Sequence, residues 1–160
     1  MPHLHSYPGS CHCGAVCLRL ESDKTPSELG LRTDTCSFCT KHEARYTSDP
    51  GGALHFAFRD AGAVTRYRFG TRTADFLFCK ACGIFVAATM PEAALAVVNV
   101  HVLDARAEFL SLPLHTADFD GESVEQRLAR RQARWTPLVP TIPPAPPRSR
   151  GGTDPSAPRP

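Results

Sequence analysis

The stretch GSCHCGAV at residues 9–16 decides the fold together with the stretch FCKACG at residues 78–83. Each stretch places two thiols close together and follows them with a glycine, which permits a tight turn and close approach of amide N–H groups to the sulfurs. Four thiolates complete the ligand set of a tetrahedral structural zinc ion. We therefore predict one structural zinc site that joins the start of the domain to its middle. Its ligands would be Cys11, Cys13, Cys79 and Cys82.

Length, composition and charge restrict the classes of protein that the chain can belong to. Its 160 residues fit one domain with some additional chain, and 42% of them are hydrophobic. The net charge of +2 gives no support for a nucleic-acid or membrane partner, and no apolar run approaches the roughly 20 residues that span a bilayer. Without a secretory signal pattern we expect a cytoplasmic protein. The seven cysteines are then metal ligands or redox groups rather than disulfides.

The hydrophobic pattern predicts a mainly β fold with one C-terminal helix. Alternating or β-branched runs predict strands at residues 15–20, 55–58, 64–69, 84–88 and 96–103. A helix is expected at residues 122–135, capped by Asp120 or Ser123. Residues 137–160 are rich in proline and have few apolar side chains. We therefore expect a zinc-binding domain at residues 7–136 and a proline-rich disordered tail at residues 137–160.

Between the two outer cysteine pairs lies a third pair, Cys36 and Cys39, with Asp34 two residues before it. Such a pair alone could be a redox dithiol, half of a second zinc site, or a coincidence. The strand–helix surroundings of a thioredoxin-type dithiol are absent from the sequence, which disfavours the redox interpretation. Aspartate is an acceptable zinc ligand, and three protein ligands with one open position are typical of a catalytic zinc. Asp34, Cys36 and Cys39 are therefore candidate catalytic residues.

These motifs, together with VNV at residues 98–100 and Leu103-Asp104, resemble one known family over about Tyr7 to Gly121. It is the family of glutathione-dependent formaldehyde-activating enzymes, which shares its domain with centromere protein V. The resemblance implies an Mss4-like fold stabilised by a structural zinc on the four outer cysteines. It also implies a second zinc held by a Cys-x-Cys-x-x-Cys motif, whose last two cysteines match Cys36 and Cys39. The implied activity is the addition of glutathione to formaldehyde, a reaction classed with carbon–sulfur lyases.

This sequence departs from the family motif at one position, where Asp34 stands in place of the first cysteine. Either the carboxylate replaces the thiolate, or the second site is weak or empty. The resemblance implies a zinc-dependent lyase that acts on adducts of glutathione, or a related thiol, with formaldehyde or a similar aldehyde. The alternative is a non-catalytic zinc domain used for protein interaction. A zinc-ribbon nucleic-acid module is disfavoured by the modest charge.

Other polar residues have simpler expected roles. Lys41 and His42 could complete the second site, and Asn99 and His101 are expected on one side of the strand at residues 96–103. Cys17 is interpreted as a small buried side chain, and His12 as an exposed one. The arginines of the predicted helix are interpreted as a solvated basic face; they are Arg127, Arg130, Arg131 and Arg134.

Overall fold

The computed structural model describes residues 3–140, and the predicted mainly β, Mss4-like fold is confirmed. The strands of this part of the chain are β1 His5–Ser10, β2 Val16–Ser22, β3 Leu31–Asp34, β4 Tyr46–Thr47, β5 Ala53–Phe58, β6 Val64–Tyr67, β7 Asp75–Cys79, β8 Phe85–Met90, β9 Leu95–Asn99, β10 Leu114–Ala117 and β11 Thr136–Pro137. The helices are α1 Pro26–Leu29, α2 Ser37–His42, α3 Arg106–Leu110 and α4 Val124–Arg134. Two single 3₁₀ turns cover Pro91–Ala93 and Val100–Val102.

The strands form two sheets. The smaller sheet has the antiparallel order β1-β2-β5, and the larger has the order β10-β3-β4-β9-β8-β7-β6. Only β10 and β3 pair in parallel among the described strands. An isolated antiparallel bridge pairs Gly9 of β1 with Leu103, which follows the 3₁₀ turn after β9. A Cβ atom at Gly9 would lie 2.3 Å from the Val102 carbonyl oxygen, so this close approach requires glycine.

Hydrophobic packing divides into two clusters. One lies between the sheets and contains the alternating residues Val16, Leu18 and Leu20 of β2, which are buried as their pattern predicts. The other lies between the larger sheet and α4, and it includes Phe38 and Trp135. Strands β8 and β9 contribute to both clusters, which explains why nearly every residue in them is apolar.

Helix α4 confirms the predicted C-terminal helix. Ser123 accepts a hydrogen bond from the Gln126 N–H, and the Gln126 side chain accepts one from the Ser123 N–H, forming a capping box. Leu128 packs against the second cluster, whereas Val124 is exposed. Helices α1, α2 and α3 span only four to six residues, too short to produce a recognisable 3.6-residue pattern.

The predicted strand at residues 96–103 ends early. The chain leaves β9 after Asn99 and forms the 3₁₀ turn Val100–Val102. The Asn99 amide donates to the Phe85 carbonyl oxygen at 2.8 Å, and its side-chain oxygen accepts from the His101 N–H at 3.4 Å. His101 is exposed and contacts the Glu43 carbonyl oxygen. The expectation that Asn99 and His101 share one strand face is therefore wrong.

The chain after α4 returns to the sheet. Strand β11 pairs with β9, and the Leu138 and Val139 N–H groups donate to the carbonyl oxygens of Ala94 and Leu54. Residues 141–160, which belong to the expected proline-rich tail, lie outside the described residues. Within residues 3–140, no helix has the length and apolar composition needed to cross a membrane.

Candidate functional site

The four outer cysteines converge on one point, as their spacing predicts. The Cys13 sulfur lies 3.7 Å from the Cys11 sulfur and 3.6 Å from the Cys79 sulfur, and the whole group, with Cys82, fits within 4.8 Å. Sulfurs at about 2.3 Å from a tetrahedral zinc ion would be roughly 3.8 Å apart. The donor set and its spacing therefore fit a metal with tetrahedral thiolate coordination.

Two tight turns aim these sulfurs at one another. Gly14 and Gly83 follow the pairs with φ angles of 77° and 78°, in the left-handed region that glycine enters without strain. The Val16 N–H donates to the Cys11 sulfur at 3.3 Å, and the Cys82 N–H donates to the Cys79 sulfur at 3.4 Å. Such N–H···S bonds orient the ligands and stabilise thiolate charge.

Two thiols of this group differ in acidity. Burial raises the pKa of Cys11 to about 12. Burial also acts to raise the pKa of Cys82, but N–H groups of Ile84 and Cys13 outweigh it and lower the pKa to about 6. The Cys82 thiol therefore ionises more readily than the Cys11 thiol. A bound divalent cation would favour the thiolate form of both.

The second group is also assembled by local structure. Asp34 ends β3, Cys36 caps the N-terminus of α2, and Cys39 lies in its first turn. The Cys36 and Cys39 sulfurs are 3.2 Å apart, and one ligand atom from each of the three residues lies within 4.8 Å of the others. Oδ1 of Asp34 accepts a hydrogen bond from the Cys36 N–H at 2.6 Å.

The two thiols of the second group differ in acidity. Hydrogen bonding between them lowers the pKa of Cys36 and, with burial, raises the pKa of Cys39. The Tyr46 hydroxyl lies 3.3 Å from the Cys39 sulfur, and burial raises the pKa of this phenol well above its ordinary value. Cys36 is half-buried and is the more accessible sulfur, whereas Cys39 is 2% exposed.

All three residues of the second group line a cavity of about 110 Å³ between the larger sheet and α4. Its apolar wall includes Phe69, Phe76 and Trp135. Its basic wall consists of four arginines, one from β3 and three from α4: Arg32, Arg127, Arg130 and Arg131. The arrangement combines a candidate metal site, an apolar surface and several cationic donors in one small space.

The expectation of a solvated basic face on α4 is wrong for the arginines that line this cavity. Arg131 is only 6% exposed, stacks over the Trp135 ring and donates to the Thr73 hydroxyl at 2.8 Å. Burial, with nearby Arg127 and Arg130, lowers the pKa of Arg131 to about 10, so the side chain stays charged at neutral pH. The spacing of positions 127, 130, 131 and 134 could have revealed a common helix face, but the sequence does not show what that face contacts.

The remaining candidates lie outside this cavity. Lys41 and His42 are exposed and line a separate groove with Phe38, Tyr67 and neighbouring aromatic residues. His12 is exposed, as expected. Cys17 is half-buried, donates to the Gly14 carbonyl oxygen and belongs to neither metal-binding group.

Comparison with known proteins agrees with the fold. The family model described as glutathione-dependent formaldehyde-activating enzyme matches residues 6–112. The chain belongs to this family, which confirms the resemblance seen in the sequence. A crystal structure of a Rhodobacter sphaeroides protein is also similar, with 30% sequence identity and a TM-score of 0.53. The similarity covers 68% of this chain and 99% of that one.

Proposed function

We propose that the protein is a zinc-dependent enzyme of the carbon–sulfur lyase type. Its substrates would be adducts of glutathione, or a related thiol, with formaldehyde or a similar small aldehyde. Asp34, Cys36 and Cys39 would hold the catalytic zinc, and Cys11, Cys13, Cys79 and Cys82 the structural zinc. The observation that carries the proposal is the convergence of three possible metal ligands on the wall of a cavity. Three protein ligands leave one coordination position for a substrate.

To catalyse this reaction, the protein needs to bind both reactants and assist one proton transfer. The sulfur of the thiol joins the aldehyde carbon, and the thiol proton ends on the carbonyl oxygen; the reverse reaction breaks the same carbon–sulfur bond. Zinc, when bound, would lower the pKa of a thiol and polarise a carbonyl oxygen. The cavity would hold both reactants together, which accelerates a bimolecular step. Tyr46 would orient Cys39 through the contact between its hydroxyl and the sulfur.

Metal content and adduct kinetics test the proposal together. We expect two zinc ions per purified chain and one in Asp34→Ala or Cys36→Ser. NMR measures the exchange between glutathione, formaldehyde and their adduct. This exchange should be faster in the presence of the unmodified protein than without protein. Loss of a residue that only contacts a metal ligand typically lowers metal affinity or activity by roughly 10–100-fold. Loss of a direct ligand should therefore reduce the acceleration by at least this factor. Cys17→Ser, outside both groups, is the control. One zinc per chain without acceleration would contradict the proposal.

The alternative function is a zinc domain without catalytic activity. The hydrogen bond from the Cys36 N–H to Asp34 favours it, because that bond engages the carboxylate in a local turn and gives the residue a structural role. On this alternative, Asp34→Ala would change protein stability but leave the zinc content at one per chain. The same metal measurement therefore separates the two functions.

A further inference from the structure

The basic wall of the cavity lies largely outside the residues that the family model matches. The family model matches residues 6–112, whereas α4 spans Val124–Arg134. Three of the four cavity arginines belong to this helix, and the fourth, Arg32, belongs to β3. The helix thus supplies most of the cationic groups of the cavity from outside the matched residues.

Two arginine nitrogens at this wall are buried without a hydrogen-bond acceptor among the described residues. They are Nε of Arg127 and Nε of Arg131. The first lies 3.6 Å from Oε2 of Glu122, which is an ion-pair distance but too long for a hydrogen bond. Buried donors are nearly always paired, because an unpaired one costs about 1–3 kcal/mol and a charged one more. Both side chains therefore keep a donor that no group of the described residues satisfies.

Charge at the cavity is also uncompensated. Glu122 forms a bidentate ion pair with Arg130, in which two guanidinium nitrogens donate to the two carboxylate oxygens at 2.8 Å and 3.0 Å. This pair neutralises the charge of Arg130. Arg32 and Arg131 have no acidic partner within ion-pair distance among the described residues. Asp34 is the acidic residue that lines the cavity, and it faces the two thiols of the candidate metal site. An anion in the cavity would balance the remaining guanidinium groups.

We propose that this cavity binds a carboxylate group through Arg127 and Arg131, with Arg32 contributing charge. A planar guanidinium suits a carboxylate because it can donate two parallel hydrogen bonds. A cavity of about 110 Å³ is well below the roughly 300–1,000 Å³ of sites that enclose drug-sized ligands. The occupant is therefore a short carboxylic acid, or one end of a longer one. Its thiol or aldehyde adduct would face Cys36; only this last statement rests on the proposed function.

A pair of matched probes tests the inference on the purified, metal-loaded protein. 3-Mercaptopropionate carries the carboxylate, and 3-mercaptopropionamide replaces it with a neutral group of the same shape. We expect calorimetry at low ionic strength to show at least about tenfold tighter binding of the acid, the effect of one charge-assisted hydrogen bond. Equal binding of acid and amide by the unmodified protein would overturn the inference without any variant.

Variants then assign the effect to α4. Arg127→Gln and Arg131→Gln should abolish most of the preference for the acid. Arg134→Gln removes the same charge from an exposed position of the same helix that does not line the cavity, and it should keep the preference. An equal loss in all three variants would mean that only long-range charge acts, which contradicts a specific site. Inorganic phosphate that displaces the acid with equal or better affinity would contradict the assignment to carboxylates.

Thiol-free probes separate this inference from the proposed enzyme activity. Propionate and propionamide have no thiol that could bind the metal. Tighter binding of propionate than of propionamide would therefore depend on the arginines alone. If Cys36→Ser abolishes adduct chemistry but retains this preference, both proposals are supported. If no adduct chemistry is found but the preference depends on Arg131, the enzyme proposal fails and the carboxylate site stands.

Discussion

At the scale of single residues, Asp34 has the largest influence on what the second site can do. It ends β3 in a position from which its carboxylate reaches both the Cys36 N–H and the thiol pair. A carboxylate is a harder ligand than a thiolate and transfers less charge to zinc. A site with one carboxylate and two thiolates should therefore hold its metal less tightly than a three-thiolate site, and leave that metal a stronger Lewis acid.

Asp34→Cys tests this consequence. The variant would restore the thiolate that the family motif has at this position, and we expect the second zinc to bind at least about tenfold more tightly. Competition with a chromophoric chelator measures the difference. Asp34→Ala is the matched control, because it removes the side-chain ligand and should bind the second zinc most weakly. Equal affinities in the cysteine and alanine variants would mean that position 34 is not a ligand.

At the scale of secondary-structure elements, the sequence predicts what local periodicity controls and misses what distant contacts control. The alternation in β2 and the capping signal before α4 both reflect local chemistry, and both predictions hold. The alternation of residues 96–103 continues past Asn99, yet the strand stops there because the Asn99 side chain bonds to Phe85 and turns the chain. The sequence also does not predict that the α4 arginines line a cavity. Their surroundings depend on where the helix packs against the sheet, which the sequence of the helix does not determine.

The capping box of α4 gives a prediction at this scale. Ser123→Ala removes the acceptor for the Gln126 N–H, and we expect the free energy of unfolding to fall by about 1 kcal/mol. Urea denaturation followed by circular dichroism measures the change. Ser123→Asp keeps an acceptor and suits the positive end of the helix, so its stability should stay close to that of the unmodified protein. Equal losses in both variants would show that the hydroxyl acts through another contact.

At the scale of the whole molecule, the four outer cysteines link the two sheets. Cys11 and Cys13 lie in the connection between β1 and β2 of the smaller sheet, whereas Cys79 ends β7 and Cys82 follows it in the larger sheet. The first core cluster, which includes Cys11 and Cys79, fills the space between these sheets. A metal bound here would therefore act as a cross-link at one end of the main core. The sequence could predict this link, although the two pairs are far apart along the chain, because each short-spaced thiol pair supplies half of a tetrahedral ligand set.

Loss of this link should affect the entire fold. Structural zinc sites contribute on the order of 10 kcal/mol or more to folding, which is comparable to the total stability of a typical domain. We therefore expect Cys79→Ser, or exhaustive removal of zinc by a strong chelator, to unfold the protein at room temperature. Zinc added back to the chelated protein should restore the native circular dichroism spectrum. Cys17→Ser removes a half-buried thiol outside the group and should leave the melting temperature nearly unchanged. A metal-free protein that melts at the same temperature as the metal-loaded one would show that the two sheets are held by their apolar cluster alone.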